Sequence, residues 1–145
     1  ELTFDTDGFF HTGDLGYLNS DGRLFFEQRK KDMIKSGGIN ISPADIEQTL
    51  SGLDEALEVY AFPLPGGERG ELVGAALVLS DEGCENERII SFCREQFSSH
   101  KRPSLILLVN KSDIPMTGSG KVQKVKLAEM LLSESEKKST RCVVV

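Results

Sequence analysis

The chain has 145 residues, 39% of them hydrophobic, and a formal net charge of −6. That size and composition fit one globular domain with an appended piece and exclude global disorder. The acidic balance excludes a general nucleic-acid binder, which needs a basic face, and no apolar run reaches the length of a membrane-spanning helix.

Residues 1–28 read as strands and a hairpin. Tyr17-Leu18 and Leu24-Phe25-Phe26 flank Asn19-Ser20-Asp21-Gly22, whose Asp-Gly step supplies the positive φ of a tight turn. Phe9, Phe10, Leu15, Tyr17, Leu24 and Phe26 give this segment more apolar surface than a hairpin can bury by itself, so a larger body packed against it is expected. A second hairpin is expected where Met33-Ile34-Lys35-Ser36 meets Ile39-Asn40-Ile41 across Gly37-Gly38. Ser42 then serves as N-cap, Pro43 as first helical residue and Asp45 as first-turn acid. That helix is predicted to run to Leu50 and stop near Gly52.

Strands follow at 57–62 and 72–79, separated by Pro63-Leu64-Pro65-Gly66-Gly67. Ile89, Cys93 and Phe97 recur at helical spacing, which predicts an amphipathic helix over 86–98. A buried strand is expected at 105–109. Beyond a glycine loop, Val125, Leu127, Ala128, Leu131 and Leu132 predict a last helix, and 133–145 reads as a polar, frayed tail. The expected fold class is α+β, a small antiparallel or mixed sheet packed with helices. The expected boundaries are 1–30, 31–132 and 133–145.

Cys84, Cys93 and Cys142 form neither an even disulfide framework nor a metal spacing. They point to a reducing, cytoplasmic setting, and no metal ligands are assigned. Cys142-Val143-Val144-Val145 fits a bare C-a-a-X prenylation pattern with an unusual last residue, and lipidation is the lesser reading.

Pro115-Met116-Thr117-Gly118-Ser119-Gly120-Lys121 carries one lysine on a loop whose glycines open conformations closed to other residues. It is not a Walker loop, because Pro115 stands where the first glycine belongs and Val122 replaces the Ser or Thr. Thr12-Gly13-Asp14 lies upstream, and Arg29 follows Asp14 after fifteen residues. Together with Lys35-Ser36-Gly37-Gly38-Ile39-Asn40-Ile41, these segments resemble the adenylate-forming superfamily: acyl-CoA synthetases, luciferases and the adenylation domains of peptide synthetases. The resemblance extends to about Leu132 and is greatest to fatty-acid and carnitine-type CoA ligases. It implies that 31–132 is the mobile C-terminal domain of a longer enzyme and that the first hairpin ends its N-terminal domain.

The resemblance also implies roles. Lys121 would stabilise charge at the α-phosphate during adenylation, Asp14 would accept the ribose hydroxyls of ATP, and Arg29 would reach ribose or phosphate. Lys31 would be the hinge. Lys35 would act in catalysis by steadying the adenylate or the incoming thiolate, and Ser36, Gly37 and Gly38 would face the pantetheine arm of CoA during thioester formation, although a plain hairpin turn also explains the two glycines. Lys101 and Arg102 would meet CoA phosphates, or else answer the dipole of the preceding helix. Gly70-Glu71 reads as structural, and Glu47 as a surface or capping residue. The implied substrates are a carboxylic acid, ATP and CoA, with Mg2+ held outside this segment. Two other readings stay open: an adenylation domain that loads a carrier protein, and a non-catalytic interaction module. Self-association through the exposed hairpin is a further expectation.

Overall fold

The computed structural model describes residues 4–80 and 83–145, apart from the side chains of Gln28, Lys31 and Arg69. The chain divides into two compact units, Glu1–Met33 and Ile34–Val145.

The first unit is built on an antiparallel hairpin of β1 (Asp14–Leu18) and β2 (Leu24–Arg29). Its turn forms where the Asp-Gly step predicts it. Gly22 has φ of 77°, and the Asn19 Oδ1 accepts from the backbone N–H groups of Asp21 and Arg23 at 3.0 and 2.9 Å. A bulge falls between Leu15 and Gly16, where a side chain on Gly16 would strike the Phe25 carbonyl. Tyr17 stacks on Phe25 with ring centroids 5.2 Å apart. Most of the apolar surface nevertheless stays open: Phe9, Leu24 and Phe26 are 71%, 75% and 65% exposed.

The second unit begins with the predicted hairpin, β3 (Ile34–Ser36) and β4 (Ile39–Ile41). Helix α1 (Pro43–Leu50) starts as its cap signals predict, with the Ser42 Oγ accepting from the Asp45 N–H. Strands β5 (Ala56–Pro65) and β6 (Glu71–Leu79) pair antiparallel. Helix α2 (Asn86–Gln96) crosses over to β7 (Leu105–Leu108), which lies parallel to β6. Helix α3 (Lys124–Glu136) follows, and β8 (Cys142–Val144) joins antiparallel to β7, giving the sheet order β5-β6-β7-β8.

Strand alternation splits the core into two faces. Val73, Ala75, Leu77 and Ile106 point to one face, where they meet Ile46 and Leu50 of α1, Ile89 and Cys93 of α2, and Ile34 and Ile41 of the hairpin. Ala76, Val78, Phe62 and Leu107 point to the other, against Leu127 and Leu131 of α3. The α+β expectation therefore holds.

The frayed tail does not. Residues to Glu136 continue α3, and 142–144 form the fourth strand, with Val143 only 2% exposed. The reason is a non-local partner: Leu105, Ile106 and Leu107 pair with Val144, Val143 and Cys142, which a polar stretch read alone does not reveal.

Candidate functional site

In the first unit, Asp14 and Arg29 face each other in the strand register. The Arg29 Nε lies 3.1 Å from the Asp14 Oδ1, with both side chains partly exposed. The approach to Asp14 is shaped locally. Gly13 has φ of 76°, the Thr12 Oγ1 accepts from the Asp14 N–H at 3.1 Å, and the Gly13 carbonyl accepts from the Lys30 N–H at 2.8 Å. An exposed pair of this kind contributes about 0–1 kcal/mol, so its main effect is to orient the carboxylate. The backbone of Lys31 lies in the 3-10 turn Lys30–Asp32, and its side chain lies outside the described residues. His11 Nε2 sits 3.3 Å from the Asp5 carboxylate.

In the second unit, Lys35 and Ser36 lead into a turn in which Gly37 and Gly38 have φ of 55° and 81°. Non-glycine residues rarely take these values in succession. The turn is fastened to the start of β6. A Glu71 carboxylate oxygen accepts from the Lys35 N–H at 2.7 Å, and Ser36 forms a bridge with Gly70. Gly70 has φ of 84°, and a Cβ there would lie 2.9 Å from the Lys35 carbonyl oxygen.

Lys121 ends a second glycine turn, which is more sharply shaped than its composition predicts. The Thr117 N–H donates to the Lys121 carbonyl at 2.8 Å, and Gly120 N–H to the Thr117 carbonyl at 2.9 Å. The Lys121 N–H donates to the Thr117 Oγ1 at 3.0 Å. Met116 and Val122 bridge below it, and Gln123 Nε2 donates to the Met116 carbonyl at 2.6 Å. The Lys121 side chain is exposed, and no ion pair engages it among the described residues.

Just past this turn, Lys124 opens α3, with its Nζ 2.6 Å from the Glu47 Oε1. The same oxygen accepts from the Ala61 N–H of β5 at 2.8 Å. Since β5 is an edge strand, this carboxylate seals an outward-facing backbone donor and ties α1, β5 and α3 together. The sequence marks Glu47 only as a surface or capping residue, because a contact 77 positions apart leaves no local signal.

Lys101 spends its ammonium on the Asp45 carboxylate at 3.2 Å, both exposed. Arg102 is half-buried, and its Nε is enclosed without a hydrogen-bond partner among the described residues. No three His, Cys, Asp or Glu side chains converge as a metal site requires among the described residues, and no helix there is long and apolar enough to cross a membrane. Shallow concavities lie along Leu53, Arg88 and Phe92 and along Met130, Ser133 and Arg141, away from both glycine turns.

Residues 45–121 match the family described as AMP-binding enzyme C-terminal domain. The chain is 37% identical over 123 residues to a 2-succinylbenzoate–CoA ligase of Listeria monocytogenes, covering 85% of this chain and 26% of the relative. It is 33% identical over 123 residues to the long-chain-fatty-acid–CoA ligase FadD13 of Mycobacterium tuberculosis, covering 85% and 24%. ATP-bound MatB from Rhodopseudomonas palustris superposes with a TM-score of 0.77 at 30% identity, covering 88% of this chain and 25% of that one. The chain thus spans about a quarter of the length of these relatives. Because the family match runs across more than half of the residues, the chain belongs to the AMP-binding enzyme C-terminal domain family.

Proposed function

We propose that this chain is the C-terminal part of an ATP-dependent acyl-CoA synthetase working in the cytoplasm. In the first half-reaction, a substrate carboxylate oxygen attacks the α-phosphorus of ATP and pyrophosphate leaves, giving an acyl-adenylate. In the second, the CoA thiolate attacks the acyl carbon and AMP leaves. The observation that carries this reading is Lys121, an exposed ammonium at the end of a hydrogen-bonded turn, within the matched segment. A lysine held this way is suited to stabilise the charge that builds at phosphorus.

Asp14 would accept ribose hydroxyls. Arg29 engages one of its oxygens, and a carboxylate retains further lone pairs for two sugar donors. Arg29 itself would reach ribose or phosphate. Lys31 would be the hinge about which the second unit turns between half-reactions. Ser36, Gly37 and Gly38 would line the path of the pantetheine arm, with Lys35 steadying the adenylate or thiolate. Lys101 and Arg102 would meet CoA phosphates, which requires Lys101 to leave Asp45. Mg2+ is assigned to residues outside this chain. The open aromatic face of the first unit would pack on the rest of the enzyme, and failing that on a second copy. The 145-residue chain alone would turn over nothing.

The test is Lys121→Ala in the full-length enzyme, with a panel of aliphatic and aromatic carboxylic acids as substrates. ATP–pyrophosphate exchange is expected to fall by roughly two to three orders of magnitude, while acyl transfer from supplied acyl-adenylate to CoA falls far less. Undiminished exchange would overturn the reading. Transfer only to a carrier protein would place the parent among the adenylation domains instead.

A further inference from the structure

We infer that Glu47 and Glu71 are positioning residues, one for each working turn: Glu47 fixes the Lys121 turn and Glu71 fixes the Ser36–Gly38 turn. The inference rests on the function proposed above and assigns work to two carboxylates that reading does not use.

Two observations carry it independently. The Glu47 Oε1 accepts at once from the Lys124 ammonium at 2.6 Å and the Ala61 N–H at 2.8 Å. Lys124 is the first residue of α3, three positions beyond Lys121, and the two residues between them are both tied back to the segment entering the turn: Val122 bridges to Met116, and the Gln123 N–H donates to the Pro115 carbonyl at 2.8 Å. Movement of Lys124 relative to β5 is therefore passed to Lys121 through a short, stiff segment. The turn alone fixes its shape, and Glu47 fixes where that shape stands on the sheet.

Glu71 does the corresponding work at the other turn. Its carboxylate holds the Lys35 N–H at 2.7 Å, and Gly70 beside it brings the β6 backbone against Ser36. Gly37 and Gly38 give this turn wide conformational freedom, so its placement depends on that anchor. Glu47 and Glu71 are engaged by different parts of the unit, and each can be removed without touching the partners of the other.

The experiment uses the full-length enzyme and the acid selected by the substrate panel. Glu47→Gln keeps an acceptor for the Ala61 N–H and loses the ion pair. It is expected to lower the kcat of ATP–pyrophosphate exchange roughly tenfold with the KM for ATP little changed, since misplacing a reacting group by a fraction of an ångström acts on the chemical step. Transfer from supplied acyl-adenylate to CoA should fall much less. Lys124→Met should reproduce this split and Lys124→Arg should restore most of the exchange rate. Lys124→Met also tests the pair if Glu47→Gln fails to fold. Glu71→Met, which removes the acceptor of the Lys35 N–H, should show the opposite split. Amide hydrogen exchange gives a readout free of chemistry: protection at 117–121 should drop in Glu47→Gln alone, and at 35–38 in Glu71→Met alone. Equal losses in both half-reactions, or unchanged exchange at the turns, would overturn the inference. Normal adenylation by Lys121→Ala would instead sink the proposed function, with the exchange measurement still reporting on the anchors.

Discussion

The two units use apolar residues in opposite ways. The first holds Phe9, Leu18, Leu24 and Phe26 in the open, each at least 65% exposed, on a two-stranded hairpin. The second buries Ile34, Ile41, Ile46, Leu50 and Leu77 completely. A hairpin shares one hydrogen-bonded ladder and has no second layer, so its strands can be paired while its side chains have nothing to pack on. Four strands with helices on both faces give every inward side chain a partner. Strand pairing and core completion are thus separate achievements, and only the second unit has both.

The largest effect that sharpens this contrast is expected from Leu77→Ala, which opens a void at a fully buried position and should destabilise the second unit by about 2–5 kcal/mol in urea unfolding. Gly70→Ala comes next. It forces a side chain into a left-handed conformation 2.9 Å from the Lys35 carbonyl oxygen, at about 1–3 kcal/mol. A loss confined within error would show that the Gly70 backbone relaxes freely.

Alkaline pH supplies a third, smaller effect. Burial pushes the Cys93 thiol from 9.0 up to about 11, with Arg102 opposing. Burial first, and then the hydrogen bond to Glu58, push Tyr60 from 10.0 up to about 12. The unfolded chain therefore releases these protons at lower pH than the folded one, so stability is full below pH 9 and declines as pH rises through 9 to 12. The urea midpoint against pH should show this fall, and Cys93→Ala should flatten its lower part. The smallest effect is expected from Phe26→Ser in the first unit of this chain, within roughly 0.5 kcal/mol. A loss near that of Leu77→Ala would break the contrast.

Features set by neighbouring residues were legible in the sequence. Asn19 and Gly22 announce their turn, and Ser42 and Pro43 announce α1, because the bonds involved close within a few residues. The lysine at 121 was also legible as the end of a glycine turn. Its firmness was not, since it depends on the Thr117 hydroxyl and on a side-chain bond from Gln123, which composition cannot distinguish from loose loop. Glu47 and Glu71 were hidden for another reason. Each accepts from a backbone N–H on a distant element, and a carboxylate in sequence does not declare whether it faces water or an orphan amide. The strand at 142–144 was missed because valines after a polar stretch acquire meaning only beside Leu105–Leu108.

That late strand bears on how the molecule is made. In the finished sheet β7 is flanked by β6 and β8, but during synthesis its second flank stays bare until Cys142–Val144 has been added. A chain ending anywhere within α3 would hold β7 as an apolar edge strand with half its hydrogen bonds unmet. Chaperone capture should be strong for chains truncated within α3 and lost in chains that include Val144.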